Sequence, residues 1–244
     1  MDDKLWYLKR SDLFEQLSPD EITRIESRSR MQTLPRKSLV YLPSDSSDAV
    51  FLLTKGRIKL YNVTAEGKET VLAFIEPGEI FGELSLLNPG QREEFAEAMA
   101  PSNVVMIPSD VIRELMETRP ALTIRLTKLM GLRRQRIERR LKSLLFRSNR
   151  ERLIYLLLEL AARYGERIED GLALGIRLSH QELSSVIGST RETVTVLLGE
   201  LQLERSLIIK RRQIILTNLR QLASSLDEVL PEVERLIEGE SAES

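Results

Sequence analysis

Two neighbouring charged residues, Arg191 and Glu192, open an apolar helical pattern in the last quarter of the chain. An arginine guanidinium forks onto the O6 and N7 atoms of guanine, and a glutamate accepts a hydrogen bond from the N4 amino group of cytosine. Both side chains, together with Thr195, lie off the apolar stripe of their helix. This arrangement is typical of a helix that reads base edges in the major groove of DNA.

The segment around this pair predicts two short helices joined by a turn at Gly188. Apolar residues recur at helical spacing on both sides of that glycine, over residues 178–201. Ser179 and a glutamate three residues later predict a capping box for the first helix, and Ser189 or Thr190 caps the second. Any αα-hairpin with a glycine turn gives the same pattern, so the flanking residues must decide between the two interpretations.

A basic hairpin is predicted directly after these helices. The apolar runs 207–209 and 214–216 flank the sequence KRRQ, which is typical of two short strands and a tight turn. A hairpin beside a helix pair forms a wing, and Lys210 and Arg211 at its tip are placed to contact a DNA phosphate. A solvated turn is equally basic, so both interpretations of the tip stay open.

The stretch HQELSSVIGSTRETV (180–194), with the hairpin after it, resembles the winged helix of the Crp/Fnr transcription regulators. One departure is Val196, where many members of that family have a second base-reading arginine. The resemblance implies a homodimer on pseudo-palindromic double-stranded DNA that acts with RNA polymerase. The candidate DNA-contacting residues are Arg191, Glu192, Thr195, Ser189, Thr190, His180, Gln181, Lys210 and Arg211.

The net charge of −1 hides an uneven distribution of charge along the chain. Residues 131–220 hold 18 lysine and arginine residues against 10 acidic ones, whereas residues 221–244 hold 1 against 7. A basic block that contains the helix pair is the electrostatic pattern expected for contact with DNA phosphates. The arginines upstream of the helix pair are interpreted as a solvated helix face. They are Arg133, Arg134, Arg136, Arg139 and Arg140.

The absence of cysteine and the single histidine, His180, exclude several classes of function. A cysteine-ligated iron–sulfur cluster, a disulfide framework, a Cys₂His₂ zinc site and a Ser-His-Asp triad all need residues that the chain lacks. We therefore expect no enzyme activity, no metal and no cofactor. The sequence also shows neither a signal peptide nor a membrane-spanning run, so a cytoplasmic protein without a membrane partner is expected.

The first half of the chain predicts a small barrel of antiparallel strands. Apolar runs at 39–42, 50–54, 58–63, 70–75 and 104–108 are separated by turn signals, among them glycines at every eleventh position from Gly56 to Gly78. Ser18 predicts the start of a helix before the strands. A helical stretch then runs from Ser109 to about Ser148, interrupted at Pro120.

This long helix is expected to pair with a second copy of itself. Met130, Ile137 and Leu144 recur at intervals of seven, and Leu122, Leu126, Leu129 and Leu141 lie on or near the same stripe. A single helix lying on its own barrel is the alternative. Two recognition helices related by a two-fold axis, about 34 Å apart, double the contacts with DNA, which favours the dimer.

These elements, with the family resemblance, predict an α+β chain. It contains an N-terminal double-stranded β-helix or jelly-roll barrel of the cyclic-nucleotide-binding type, a long dimerisation helix and a C-terminal winged helix-turn-helix. The predicted segments are the effector barrel with its N-terminal helices (1–118), the dimerisation helix (119–146), the DNA-binding domain (147–220) and an acidic tail (221–244), amphipathic around Pro231 and disordered after it.

The stretch PGEIFGELSLL (77–87) resembles the effector loop of the same family. By position, however, Glu93 and Glu94 stand where cAMP-binding members have Arg-Ser, and Ile137 and Glu138 stand where those members have Thr-Ser. The resemblance therefore implies an effector other than cAMP, or none. Related nitrogen regulators sense 2-oxoglutarate with a helix arginine and glutamate, and Arg133 and Glu138 fall at comparable places. The effector candidates are Gly82, Glu83, Leu84, Glu93, Glu94, Arg133 and Glu138.

The competing function is an effector-binding or protein-docking module without a DNA function. Such a module has no need of Arg191 and Glu192 at a helix start inside a basic block. An enzyme comes third, because only carboxylate or lysine chemistry remains and no grouped site for it is present.

Overall fold

The computed structural model describes residues 3–11, 13–87, 90–211 and 213–242. The chain divides into two compact units, residues 1–136 and 137–244. This division falls within a long helix, α4 (Pro120–Phe146). The first unit combines strands and helices, and the second consists mainly of helices, which confirms the predicted α+β class.

The strands of the first unit form two four-stranded antiparallel sheets, ordered β1-β8-β3-β6 and β2-β7-β4-β5. Side chains from both sheets share one apolar cluster that includes Tyr41, Phe51, Leu60 and Phe81. The predicted double-sheet barrel is therefore confirmed. Its strands are β1 (Arg30–Leu34), β2 (Leu39–Tyr41), β3 (Ala49–Lys55), β4 (Ile58–Val63), β5 (Glu69–Ile75), β6 (Ile80–Phe81), β7 (Phe95–Ala98) and β8 (Ser102–Pro108).

The turn glycines of the barrel have the backbone conformation that their spacing predicts. Gly56, Gly67 and Gly78 have φ angles of 90°, 80° and 92°, a region that side-chain-bearing residues rarely adopt. A Cβ atom at Gly56 would lie 2.6 Å from the carbonyl oxygen of Pro101, so this turn also requires the missing side chain.

Helices α1 (Asp3–Arg10), α2 (Pro19–Arg28) and α3 (Ser109–Thr118) accompany the barrel. A second apolar cluster joins side chains of these helices, of α4 and of strand β8. Ser18 caps α2 as predicted, because its hydroxyl accepts from the Glu21 amide while the Glu21 carboxylate accepts from the Ser18 amide. Leu122 and Leu126 are almost fully buried, so the first turns of α4 belong to the core of this unit.

The second unit contains the predicted helix pair and hairpin within a larger fold. Strands β11 and β12 continue into a four-stranded sheet of order β11-β12-β10-β9, which the sequence pattern did not predict. A C-terminal helix extends to Ala242, where disorder was expected. The elements are α5 (Asn149–Tyr164), β9 (Gly165–Ile168), β10 (Gly171–Leu174), α6 (His180–Ile187), α7 (Arg191–Leu203), β11 (Leu207–Lys210), β12 (Gln213–Leu216), α8 (Leu219–Ser224) and α9 (Pro231–Ala242).

Candidate DNA interface and barrel charge cluster

The turn between α6 and α7 is fixed by local backbone chemistry. Ser179 and Glu182 form the predicted capping box at the start of α6. Gly188 ends α6 with a φ of 64°, the left-handed conformation that glycine adopts at low cost. Thr190 caps α7 by accepting from the Thr193 amide at 3.2 Å, which identifies the cap that the sequence left open between two residues.

The two faces of α7 separate as the sequence pattern predicts. Val194, Leu198 and Leu201 are at most 1% exposed and form the buried stripe. Arg191 and Glu192 are exposed on the first turn. Neither of these two side chains makes a hydrogen bond or ion pair with the part of the chain that the structure describes. Their hydrogen-bonding atoms are therefore available to an external partner.

His180 and Thr195, both predicted to contact DNA, contact each other. The Thr195 hydroxyl donates to the Arg191 carbonyl oxygen at 2.9 Å, and its oxygen lies 2.7 Å from His180 Nδ1. Because the hydroxyl hydrogen is used, the imidazole Nδ1 is the donor in the second bond. This bond links the start of α6 to the second turn of α7 and fixes how α7 presents Arg191.

The wing tip is less basic than the sequence suggests. The Lys210 ammonium lies 2.5 Å from the Asp170 carboxylate, which belongs to the turn between β9 and β10. Arg211 is exposed and has a φ of 49°, as expected in a tight hairpin turn. Arg212 lies outside the described residues. The wing thus offers Arg211 to an anion directly, whereas Lys210 first has to share or leave its carboxylate partner.

A charge cluster lies in the barrel, around the short 3-10 helix Glu83–Leu86. The Arg133 guanidinium lies 2.5 Å from the Glu83 carboxylate, and both side chains are largely buried. A second Arg133 nitrogen donates to the Ile80 carbonyl oxygen. The interpretation of Arg133 as part of a solvated face is therefore wrong, because its charge is held against the barrel by an internal carboxylate.

Arg92 is the residue of this cluster that sequence reasoning missed. Its side chain is 6% exposed, donates to the carbonyl oxygens of Gly82 (3.0 Å) and Ala49, and stacks on the Tyr41 ring with 4.6 Å to the centroid. A Cβ atom at Gly82 would approach an Arg92 nitrogen to 2.7 Å, so the glycine is needed for this contact. The sequence gives one signal for the role of Arg92, which is its position directly before the effector candidate Glu93.

Glu94 faces into the same cluster, and its carboxylate accepts from the Tyr41 hydroxyl at 2.8 Å. Burial raises the pKa of Glu94, and the hydrogen bond from Tyr41 partly opposes this shift. The predicted effector residues Glu83, Glu94, Arg133 and Gly82 are thus brought together. Glu93 and Leu84 are exposed instead, and Glu138 belongs to the second unit.

The described residues contain no group of three or more His, Cys, Asp or Glu residues that could hold a metal ion. No helix among them is long and apolar enough to cross a membrane. The charged cluster of the barrel consists of two arginines and two glutamates, of which Arg133 and Glu83 form an ion pair. The four residues are Arg92, Arg133, Glu83 and Glu94.

Two family descriptions match this chain. Residues 31–119 match the cyclic nucleotide-binding domain, and residues 151–225 match the Crp-like helix-turn-helix domain. A global nitrogen regulator from Nostoc sp. is 31% identical over 186 residues, which cover 75% of this chain and 83% of the regulator. The cyclic AMP receptor protein of Thermus thermophilus is 29% identical, with 80% of this chain and 87% of the receptor covered.

Solved structures also superimpose on most of this chain. A CooA mutant from Carboxydothermus hydrogenoformans superimposes with a TM-score of 0.74 at 25% identity, over 92% of this chain and 96% of that chain. A transcriptional regulator of the CRP/FNR family from Thermus thermophilus has a TM-score of 0.64 at 27% identity, over 80% and 97% of the two chains. Each comparison covers both the barrel and the helix-turn-helix unit.

Proposed function

Because the chain belongs to the Crp/Fnr family of DNA-binding transcription regulators, we propose that it binds a pseudo-palindromic operator as a homodimer. The observation that carries this proposal is the pair Arg191 and Glu192, exposed and unpaired at the capped start of α7. Each α7 reads one half-site in the major groove, and the half-sites lie about one helical turn apart. The protein acts in the cytoplasm, on transcription by RNA polymerase.

Selection of bound duplexes from a random pool tests this proposal. The expected result is a two-fold symmetric consensus with TGT- and ACA-like half-sites, because Arg191 pairs with guanine and Glu192 with cytosine. A consensus without symmetry contradicts the dimer. Binding without sequence preference contradicts the assignment of α7 as the reading helix.

The proposed dimer is supported by apolar side chains that are exposed on α4. Ile137, Leu141 and Leu145 follow each other at intervals of four and are 51%, 55% and 67% exposed. Such a stripe on a long helix favours a second copy of the same helix as its cover. Leu144, which the interval of seven placed on this stripe, lies instead beside Gly188 within the second unit.

Sedimentation of Ile137→Asp tests this seam. A carboxylate at the centre of an apolar interface has no partner there and is costly to bury, so we expect the variant to sediment as a monomer. Glu138→Asp, at the exposed neighbouring position, is the control and is expected to remain a dimer. A dimeric Ile137→Asp, or a monomeric wild-type protein at micromolar concentration, contradicts the proposal.

We further propose that cAMP is not the effector of the barrel. Arg133 already pairs with Glu83, two of the three Arg92 nitrogens already donate to carbonyl oxygens, and the Glu94 carboxylate lies in the same cluster. Repulsion and desolvation then oppose binding of this anion. Millimolar cAMP or cGMP is expected to change neither the melting temperature nor the DNA affinity.

Binding of cAMP is the second candidate, favoured by the match to the cyclic nucleotide-binding domain and by the relative named a cyclic AMP receptor protein. Calorimetric titration with cAMP distinguishes a barrel that binds this nucleotide from one that does not. A micromolar dissociation constant for cAMP, together with tighter operator binding, would establish the second candidate.

A further inference from the structure

The chain continues past the part that matches the helix-turn-helix domain. That match ends at residue 225, and residues 226–242, called the strap below, add a short connection and helix α9. Leu226 is 9% exposed and Val233 is 1% exposed, and α9 packs against α5. The strap is therefore anchored on the second unit by apolar side chains.

The polar contacts of the strap reach the junction between α4 and α5. The Glu228 carboxylate lies 2.6 Å from the Lys142 ammonium, on the next-to-last turn of α4. The Glu228 carbonyl oxygen accepts from Arg147 at 3.0 Å, and Arg147 lies between the two helices. The same guanidinium stacks on the Tyr155 ring of α5 at 4.1 Å. Glu228 thus contacts α4 through Lys142 and the junction through Arg147, whose guanidinium in turn contacts α5.

This junction between α4 and α5 is short, and a side chain of α5 also binds the end of α4. α4 ends at Phe146 and α5 begins at Asn149, so only two residues connect them. Arg152 on α5 donates to the carbonyl oxygens of Arg147 (2.9 Å) and Leu144 (2.6 Å), which are orphan acceptors at the end of α4. Charged contacts of Arg147 and Arg152 therefore help to hold the angle between the two helices.

The contact between strap and α4 is not a packed apolar seam. A cavity of about 370 Å³ remains between them, lined by Phe146, Tyr155 and Leu230 among others. Lys142 and Glu228 are 65% and 68% exposed, and an ion pair this exposed is screened by water and adds little to the stability of the fold. Loss of the pair is therefore expected to leave the unit folded while it frees the junction.

We propose that the strap sets the angle between the end of α4 and the α5–α7 unit, and thereby the half-site spacing that the dimer accepts. The proposal rests on the proposed function, a dimer on a two-fold operator. One added base pair turns a half-site by about 35° and moves it about 3.4 Å, so a rigid dimer discriminates against it. A dimer with a freed junction follows the displaced half-site.

The full-length wild-type protein is compared with Glu228→Lys, which opposes Lys142 and Arg147. Glu232→Lys, an equal change of charge at an exposed position of α9, is the matched control. Affinity is measured on the selected operator and on operators with one base pair added or removed between the half-sites. We expect wild type and control to lose at least about tenfold on the altered operators, and Glu228→Lys to lose about threefold or less.

A merely structural role predicts a different result, in which Glu228→Lys weakens binding by the same factor at every spacing. That result, or a spacing profile identical to that of the wild type, overturns the proposal. Full-length Lys142→Glu, which places a second carboxylate beside Glu228, serves as the second variant and is expected to show the same broadened profile as Glu228→Lys.

Hydrogen exchange without DNA separates this proposal from the proposed function. In Glu228→Lys, but not in Glu232→Lys, amides from 144 to 152 are expected to exchange faster because the junction opens more often. If the wild type selects no DNA, the proposed function fails. Unchanged exchange in Glu228→Lys would in that case overturn the role of the strap as well.

Discussion

The barrel cluster and the start of α7 use the same residue types in opposite ways. In the barrel, Arg133 and Arg92 are buried and already bound to Glu83 and to backbone carbonyl oxygens. On α7, Arg191 and Glu192 are exposed and have no partner in the described part of the chain. A charge that is paired internally can bind a ligand only if that pair is broken, whereas an exposed charge without a partner gives up only water.

The comparison teaches where an external anion can bind. A ligand that entered the barrel cluster would have to replace existing hydrogen bonds of buried groups, and each group left unpaired is costly. A DNA base or phosphate at α7 replaces only water. The structure therefore favours DNA at α7 over a cyclic nucleotide in the cluster, although the two regions carry similar side chains.

The largest expected effect is on stability, through Arg92→Ala. Removal of this buried guanidinium takes one donor from each of the carbonyl oxygens of Gly82 and Ala49, which keep the Ser85 amide and hydroxyl, and leaves Arg133 as the cation near Glu94. It also leaves a cavity where the side chain packs on Tyr41, so we expect the free energy of unfolding to fall by about 3 kcal/mol, measured by urea unfolding. Lys68→Ala, which removes an exposed cation from a turn, is the control and is expected to change it little.

The next effect is on DNA binding, through Arg191→Ala. The variant is expected to unfold like the wild type, because the side chain has no internal partner, but to lose about 1–3 kcal/mol of operator affinity and the preference for one guanine. Competition binding with operators substituted at each position measures both quantities. Arg36→Ala, which removes an exposed arginine from the first unit, is the control. Unchanged specificity in Arg191→Ala would show that α7 is not the reading helix.

A smaller effect is expected for the wing. Lys210→Ala removes a cation that Asp170 already holds, so we expect all DNA sequences to be weakened similarly, by about 1 kcal/mol or less. Asp170→Asn is expected to strengthen binding to all DNA sequences, because it frees Lys210 for a phosphate. Titration of binding against salt concentration measures both variants. A change of sequence preference in either variant contradicts a phosphate contact.

The sequence predicts best what is encoded locally. The caps at Ser18, Ser179 and Gly188 each depend on residues within four positions, and the apolar stripes of α6 and α7 repeat at a fixed spacing. These elements are confirmed. Strands β6, β7, β9 and β10 were missed. β6 has only two residues, and β7, β9 and β10 contain glycine, alanine or charged residues, which are depleted in strands, whereas the equally short β2, β11 and β12 are rich in Leu, Val, Ile and Tyr.

The family resemblance named four residues of the barrel cluster, but Arg92 and the pairing within the cluster could not be predicted because the partners are distant in sequence. Arg92 binds carbonyl oxygens of Ala49 and Gly82, and Arg133 reaches Glu83 from a helix 50 positions later. Placing residues by family position alone put two glutamates where a cation was expected. The strand pairing buries the arginine beside them instead, and only the fold reveals this.

The smallest effect is a dependence on pH, through Glu94→Gln. Burial raises the pKa of Glu94 in the folded protein above its usual 4.5, so the folded state holds this proton more tightly than the unfolded state does. The contribution of Glu94 to the free energy of unfolding therefore falls as the pH rises above about 4.5. Glutamine does not titrate, and its carbonyl oxygen still accepts from Tyr41.

The stability of Glu94→Gln relative to the wild type is thus expected to increase from pH 4.5 to pH 8, with the difference measured by thermal unfolding at several pH values. Glu93→Gln removes the same charge at the exposed neighbouring position and is the matched control. A difference that stays constant with pH would show that attraction to Arg92 and Arg133 fully offsets the effect of burial on the pKa of Glu94. In that case the four charges of the cluster form a balanced ion-pair network, and only the hydrogen bonds of its buried groups oppose an anionic ligand.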